Sequence, residues 1–105
     1  MSKVFSGSEI KLNVSIEPIQ NKTMDDYHFS IDVYTANSSP ITIDKEDAIR
    51  VDNSNYIILI DTAKIGYGRL KCKVTAEIPD LDFKDDGKRT EVVYVETGVD
   101  ILKGA

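Results

Sequence analysis

Between Arg69 and Ile78 the chain alternates without a break. Leu70, Cys72, Val74, Ala76 and Ile78 are small or apolar, and Arg69, Lys71, Lys73, Thr75 and Glu77 fill the places between them. A two-residue period belongs to a β-strand with one buried face and one wetted face. Such a strand cannot stand alone, because its apolar face has to be hidden against a second layer. The same period recurs along the chain. Residues 9–16 place Ile10, Leu12, Val14 and Ile16 on one side, and Pro18 ends that strand or holds it at an edge. Residues 27–35 turn Tyr27, Phe29, Ile31 and Val33 inward and His28, Ser30, Asp32 and Tyr34 outward. Short strands are predicted at 41–43 and 48–52. The apolar run 56–60 reads as a strand covered on both sides. A last strand is predicted over 89–97, with Val99 and Ile101 as its extension.

Turn-forming residues separate these segments. Residues 20–26 read as a polar loop, 36–40 and 52–55 as turns, and 79–88 as a loop. In 61–68, Asp61 or Thr62 caps a single helical turn that Gly66 closes, with Ile65 tucked beneath the end of the fold. The spacing predicts seven or eight antiparallel strands in an immunoglobulin-like β-sandwich, one domain over 1–105. The crossover after Ile60 fits the E-to-F corner of that fold. The cysteine pair and tryptophan of an antibody domain are lacking, which rules that type out.

Composition narrows the chemistry. A formal charge of −5 argues against general nucleic-acid binding, which needs clustered Lys and Arg. One cysteine permits no internal disulfide, and Cys72 sits in the apolar register as a core residue. The sequence has no signal-peptide core and no apolar stretch of membrane-spanning length, so neither membrane nor secretion is expected. The sequons at Asn13, Asn21 and Asn37 therefore carry no weight.

Each candidate site has a plainer alternative. Asp80, Asp82 and Asp86 suggest calcium, but an EF-hand count from Asp80 puts Lys84 where an oxygen ligand belongs and Asp85 where glycine belongs. A solvated hairpin loop turning at Asp86-Gly87 is the expected reading, with no metal and no cofactor. Arg69, Lys71 and Lys73 form a basic stripe that either pairs with neighbouring carboxylates or docks an acidic partner. His28 stands beside Asp26 and Asp32 with no nucleophile placed next to it. The five tyrosines offer a sugar-stacking alternative, and Tyr67 a tyrosine-corner role. No phosphate loop or hydrolase elbow is present, and an enzyme is not expected.

Three segments carry a resemblance: Phe5-Ser-Gly-Ser-Glu-Ile-Lys-Leu12, Asp61-Thr-Ala-Lys-Ile-Gly-Tyr-Gly-Arg-Leu70, and Ile78-Pro-Asp-Leu-Asp-Phe83 with Asp86-Gly-Lys-Arg89. Together they resemble the small immunoglobulin-like domains of tailed phages and prophages that open baseplate upper proteins and related tail or head-decoration proteins. Gly68-Arg-Leu-Lys-Cys-Lys-Val74 has the form of that family's glycine turn and strand. Two departures stand against it: only Lys103-Gly-Ala105 follow the last apolar residues where the family usually continues into a stalk, and residues 36–44 lack a phrase common in the family. The resemblance implies a structural virion component, in the virion or the host cytoplasm, that contacts other protein subunits, further copies of itself among them. A carbohydrate-binding or calcium-stabilised adhesion module is the alternative.

Overall fold

In the computed structural model, residues 2–103 are described; residue 1 and residues 104–105, the ends of the expected domain, lie outside the described residues. The strands are β1 (Ser2–Phe5), β2 (Glu9–Ser15), β3 (His28–Tyr34), β4 (Ile41–Asp44), β5 (Ile49–Asp52), β6 (Asn55–Asp61), β7 (Gly68–Pro79) and β8 (Lys88–Leu102). Short 3-10 turns at Lys45–Asp47 and Thr62–Lys64 follow β4 and β6. Five strands form one sheet in the order β1-β8-β7-β3-β4, and three form a second in the order β2-β6-β5. Their apolar faces meet in a core of Phe29, Ile31, Val33, Tyr56, Ile58, Ile60 and the inward residues of β7, among others. The fold is an all-β sandwich.

The alternating segments become strands whose ends move by only a residue or two. Three expectations about the strands and their hairpin change. Ser2–Phe5 is too short to show a period, yet it forms β1, lying parallel to β8 with Ser2 opposite Val99 and Phe5 opposite Leu102. One pair of the otherwise antiparallel fold is therefore parallel. Secondly, the apolar run 56–60 is covered on one face only. Tyr56, Ile58 and Ile60 are buried, but Leu59 is 54% exposed. β6 is the middle strand of a sheet that meets no third layer, so its outward residues keep their contact with water. Thirdly, the 79–88 hairpin does not turn at Asp86-Gly87 alone. The amide of Asp80 donates to the carbonyl of Gly87 at 2.7 Å, and the chain turns over the residues between. Gly87, with φ of 70°, is the point where it rejoins the ladder.

The loop 20–26 is more ordered than its polarity suggests. Gln20 and Asn21 both have positive φ, and Ile19 and Lys22 exchange backbone hydrogen bonds at 2.8 and 2.9 Å across them. That is a tight mirror-image turn. It feeds Met24, which is fully buried, into the end of the core.

At the opposite end the chain crosses from β6 to β7. Asp61 caps the 3-10 turn, its carboxylate accepting from the amide of Ala63 at 3.0 Å, as expected. The turn closes at Ile65, whose amide donates to the carbonyl of Thr62; Gly66 does not close it. Gly66 is required for a different reason. A Cβ there would lie 2.7 Å from the carbonyl oxygen of Asn37, because the crossover rests directly on the turn after β3. Gly66→Ala is expected to cost about 1–3 kcal/mol of unfolding free energy, as overpacking against backbone does. Chemical denaturation checks this, and a change below about half a kcal/mol contradicts it.

Candidate interaction surface

The two sides of the sandwich differ. On the side of β4 and β5 the sheets are bridged by polar side chains. Arg50 of β5 grips Asp25 through Nε and Nη2 at 2.8–3.1 Å, and the hydroxyl of Tyr56 donates to Asp25 at 2.6 Å. These two donors hold the Asp25 carboxyl down at about 2, the Arg50 bond contributing most. Burial, with the bond to Asp25 second, pushes the Tyr56 phenol up to about 12. Lys45, just after β4, donates to the carbonyls of Met24 and Tyr27 at 2.8 Å each. Its ammonium lies 5.7 Å from the centre of the Phe29 ring and 6.0 Å from that of Tyr56, and these two rings meet edge to face.

The residues singled out in the sequence do not converge. Cys72 is buried in β7, and desolvation pushes its thiol up to about 11, far from the thiolate a nucleophile needs. His28 is exposed on β3 beside an open polar depression of about 240 Å³ that Asp26, Lys45 and Glu77 also line. In the 79–88 loop, Asp80 accepts from the amide of Asp82 and faces Arg89 at 3.2 Å, while Asp86 accepts from the amide of Lys88. Each of these two carboxylates is thus turned to a donor of the loop's own surroundings. Among the described residues no three His, Cys, Asp or Glu side chains are grouped to hold a metal ion.

Arg69, Lys71 and Lys73 do share one face, the outer face of the larger sheet. Arg69 lies 3.7 Å from Asp100 and 4.0 Å from Glu96, Lys71 is opposite Glu96, and Lys73 sits between Asp32 and Tyr94. Exposed pairs of this kind contribute roughly a few tenths of a kcal/mol. Tyr27 and Tyr56 are core residues, so the tyrosines make no continuous platform. The ring of Tyr67 is half exposed under Lys103, and what Tyr67 offers the fold is its backbone carbonyl, which accepts from the Asn37 amide at 2.8 Å. Among the described residues no tyrosine corner is formed: the glycines on either side bring the backbone, and not the ring, against the Asn37 turn.

The other side of the sandwich, between β2 and β8, stands open. A groove of about 380 Å³ runs there, lined by Leu12, Val14 and Ile16 below and Val74, Val93 and Val95 above, with Glu17 and Glu96 contributing charge. Among the described residues both strands beside it have a bare edge: β2 pairs only with β6, and β8 meets β1 only from Val99 to Leu102. The free stretch of β8 exposes four large apolar residues in succession: Val92 at 43%, Val93 at 44%, Tyr94 at 68% and Val95 at 43%. Sequence reasoning assigned no role to this segment, although its signal was present. Four consecutive apolar residues break the alternation that governs the strands before it.

Compared with known proteins, the chain matches no family model, no curated protein and no solved structure.

The bridged side gives two predictions. The folded Asp25 carboxyl lies below its ordinary value of 3.8, so its stabilisation is fully present above about pH 4 and is lost as pH falls toward about 2. Asp25→Asn should flatten the acid limb of a stability-against-pH curve over that window; an unchanged limb contradicts the assignment. Among the described residues the buried hydroxyl of Tyr27 has no hydrogen-bond partner. Tyr27→Phe is expected to raise unfolding free energy by about 1 kcal/mol, since it removes an unsatisfied polar group. A loss of stability contradicts it.

Proposed function

We propose that this chain is a non-enzymatic β-sandwich that works by contact with other proteins, through the side where β2 and β8 flank the apolar groove. One observation carries the reading: two bare backbone edges and an apolar trough lie together on one side. Each feature alone is common. Together they suit an added β-strand, whose backbone bonds to an edge while alternate side chains enter the groove.

The strand order supports an immunoglobulin-like identity for the sandwich. If β2, β6 and β5 stand for B, E and D of that fold, then β3, β7 and β8 stand for C, F and G. The position that strand A takes beside B is then bare among the described residues, which is the β2 edge of the groove. The buried, protonated Cys72 thiol and the scattered polar residues favour contact over catalysis.

The resemblance to phage and prophage domains supplies a setting, that of a virion component. Neighbouring portal, capsid or tail genes are expected; metabolic or polysaccharide-utilisation neighbours would contradict it.

Val93→Glu tests the contact surface itself. It places a charge at the groove on a side chain that already meets water, so the melting temperature should hold. A partner co-purifying with the native chain should be lost with the variant. An unchanged set of bound proteins contradicts the reading.

A further inference from the structure

We propose that two copies of this chain pair through β8, antiparallel and edge to edge, joining two five-stranded sheets into one. The inference rests on the contact-module reading above and names the occupant of one of its edges.

The free edge has defined ends. From Lys88 to Glu96, β8 pairs with β7 without interruption, Lys88 facing Pro79 and Glu96 facing Lys71. Beyond Glu96 the register breaks, and the next pair is Asp100 with Arg69. There the hydroxyl of Thr97 donates to the carbonyl of Leu70 and accepts from the amide of Val99, which bends the strand away. The straight segment available to a partner is therefore 88–96, and Val92 is its midpoint.

Symmetry fixes the rest. In an antiparallel pair related by a two-fold axis, each residue faces the one equally far on the other side of the axis, and facing residues project to the same side of the sheet. An axis at Val92 uses the whole segment. It sets Val92 against its own copy, Thr90 against Tyr94, and Lys88 against Glu96. The last pair joins opposite charges and occurs twice. On the groove side the same register sets Val93 against Glu91 and Val95 against Arg89.

Neighbouring registers are worse. An axis at Glu91 puts two carboxylates face to face. An axis at Val93 moves Lys88 opposite Gly98, inside the bend, and loses both charge pairs. The other edges compete poorly. β4 and β5 are four residues each, and β5 carries an irregularity between Arg50 and Asp52. β2 presents Glu9, Lys11, Asn13 and Ser15 on its outer face, and self-pairing about its midpoint matches no charges. β8 is long, apolar on both faces over Val92–Val95 and complementary to itself, and natural proteins seldom leave such an edge bare.

Sedimentation velocity over a concentration series should give a dimer for the native chain. Lys88→Glu should raise its Kd about tenfold, because two like-charge pairs replace two opposite ones. The double variant Lys88→Glu with Glu96→Lys should restore it. Val92→Glu, which sets two carboxylates on the axis, should leave a monomer. All these side chains are exposed, so melting temperatures should stay close to native. In a Cys72→Ala background, Val92→Cys should cross-link to its own copy on mild oxidation and Thr90→Cys should not, since only residues on the axis come within disulfide reach. A native chain that is monomeric at high micromolar concentration overturns the proposal. So does a dimer indifferent to Val92→Glu, or one cross-linked through residue 90 in preference to 92. A monomer that still loses a bound partner on Val93→Glu would defeat self-pairing and leave the contact-module reading standing.

Discussion

Three strands cannot cover five, and most of what distinguishes this molecule follows from that mismatch. Each sheet has one apolar face, and the two faces bury one another. The central strands of the larger sheet, β3 and β7, lie fully beneath the smaller sheet, and their inward residues are almost without solvent contact. β8 lies at the margin. Val93 and Val95 point to the same side as Val74 and Cys72, yet they remain over two-fifths exposed. The groove is the uncovered part of one sheet's inner face, bounded by the edge of a sheet too narrow to reach it.

The ends and the opposite side are secured by polar groups acting where apolar contact is thin. Asp25 collects Arg50 and Tyr56 from two strands of the smaller sheet, while Lys45, beyond the larger sheet's β4, ties down the carbonyls of the loop that carries Asp25. At the far end, buried Thr62 accepts from the amide of Gly7 and donates to the carbonyl of Ser8, holding the point where the chain leaves β1 for β2. The Arg50–Asp25 pair itself is open to solvent, whereas the Tyr56 and Thr62 hydroxyl bonds are partly buried, and removing one partner of such a bond leaves a polar group unsatisfied. They fix the two sheets relative to each other, so a strand added on the open side would meet a rigid edge.

Much of this was legible in the sequence. Alternation identified the long strands and which residues of β3 and β7 face inward, because a period of two leaves no other way to bury five apolar residues of ten. What it could not reveal was the partner of each edge. Ser2–Phe5 has too few residues for a period, and its place is decided by β8, nearly a hundred positions later in the chain. The run 56–60 reads as covered on both sides because a string of apolar residues looks the same in a buried strand and in one whose second face is wet. The bond between Asp25 and Arg50 joins a loop to a strand and follows no local spacing. Val92–Val95 carried the most information and was the least used.

Amide hydrogen exchange, resolved residue by residue in dilute solution, tests the uneven coverage most directly. Amides of β3 and β7 should exchange slowly throughout. Within 88–96 every second amide should be protected by β7, while those between, directed to the bare edge, should exchange rapidly. Continuous protection along 88–96 under those conditions would mean that another part of the same chain covers the edge, and the account would fail.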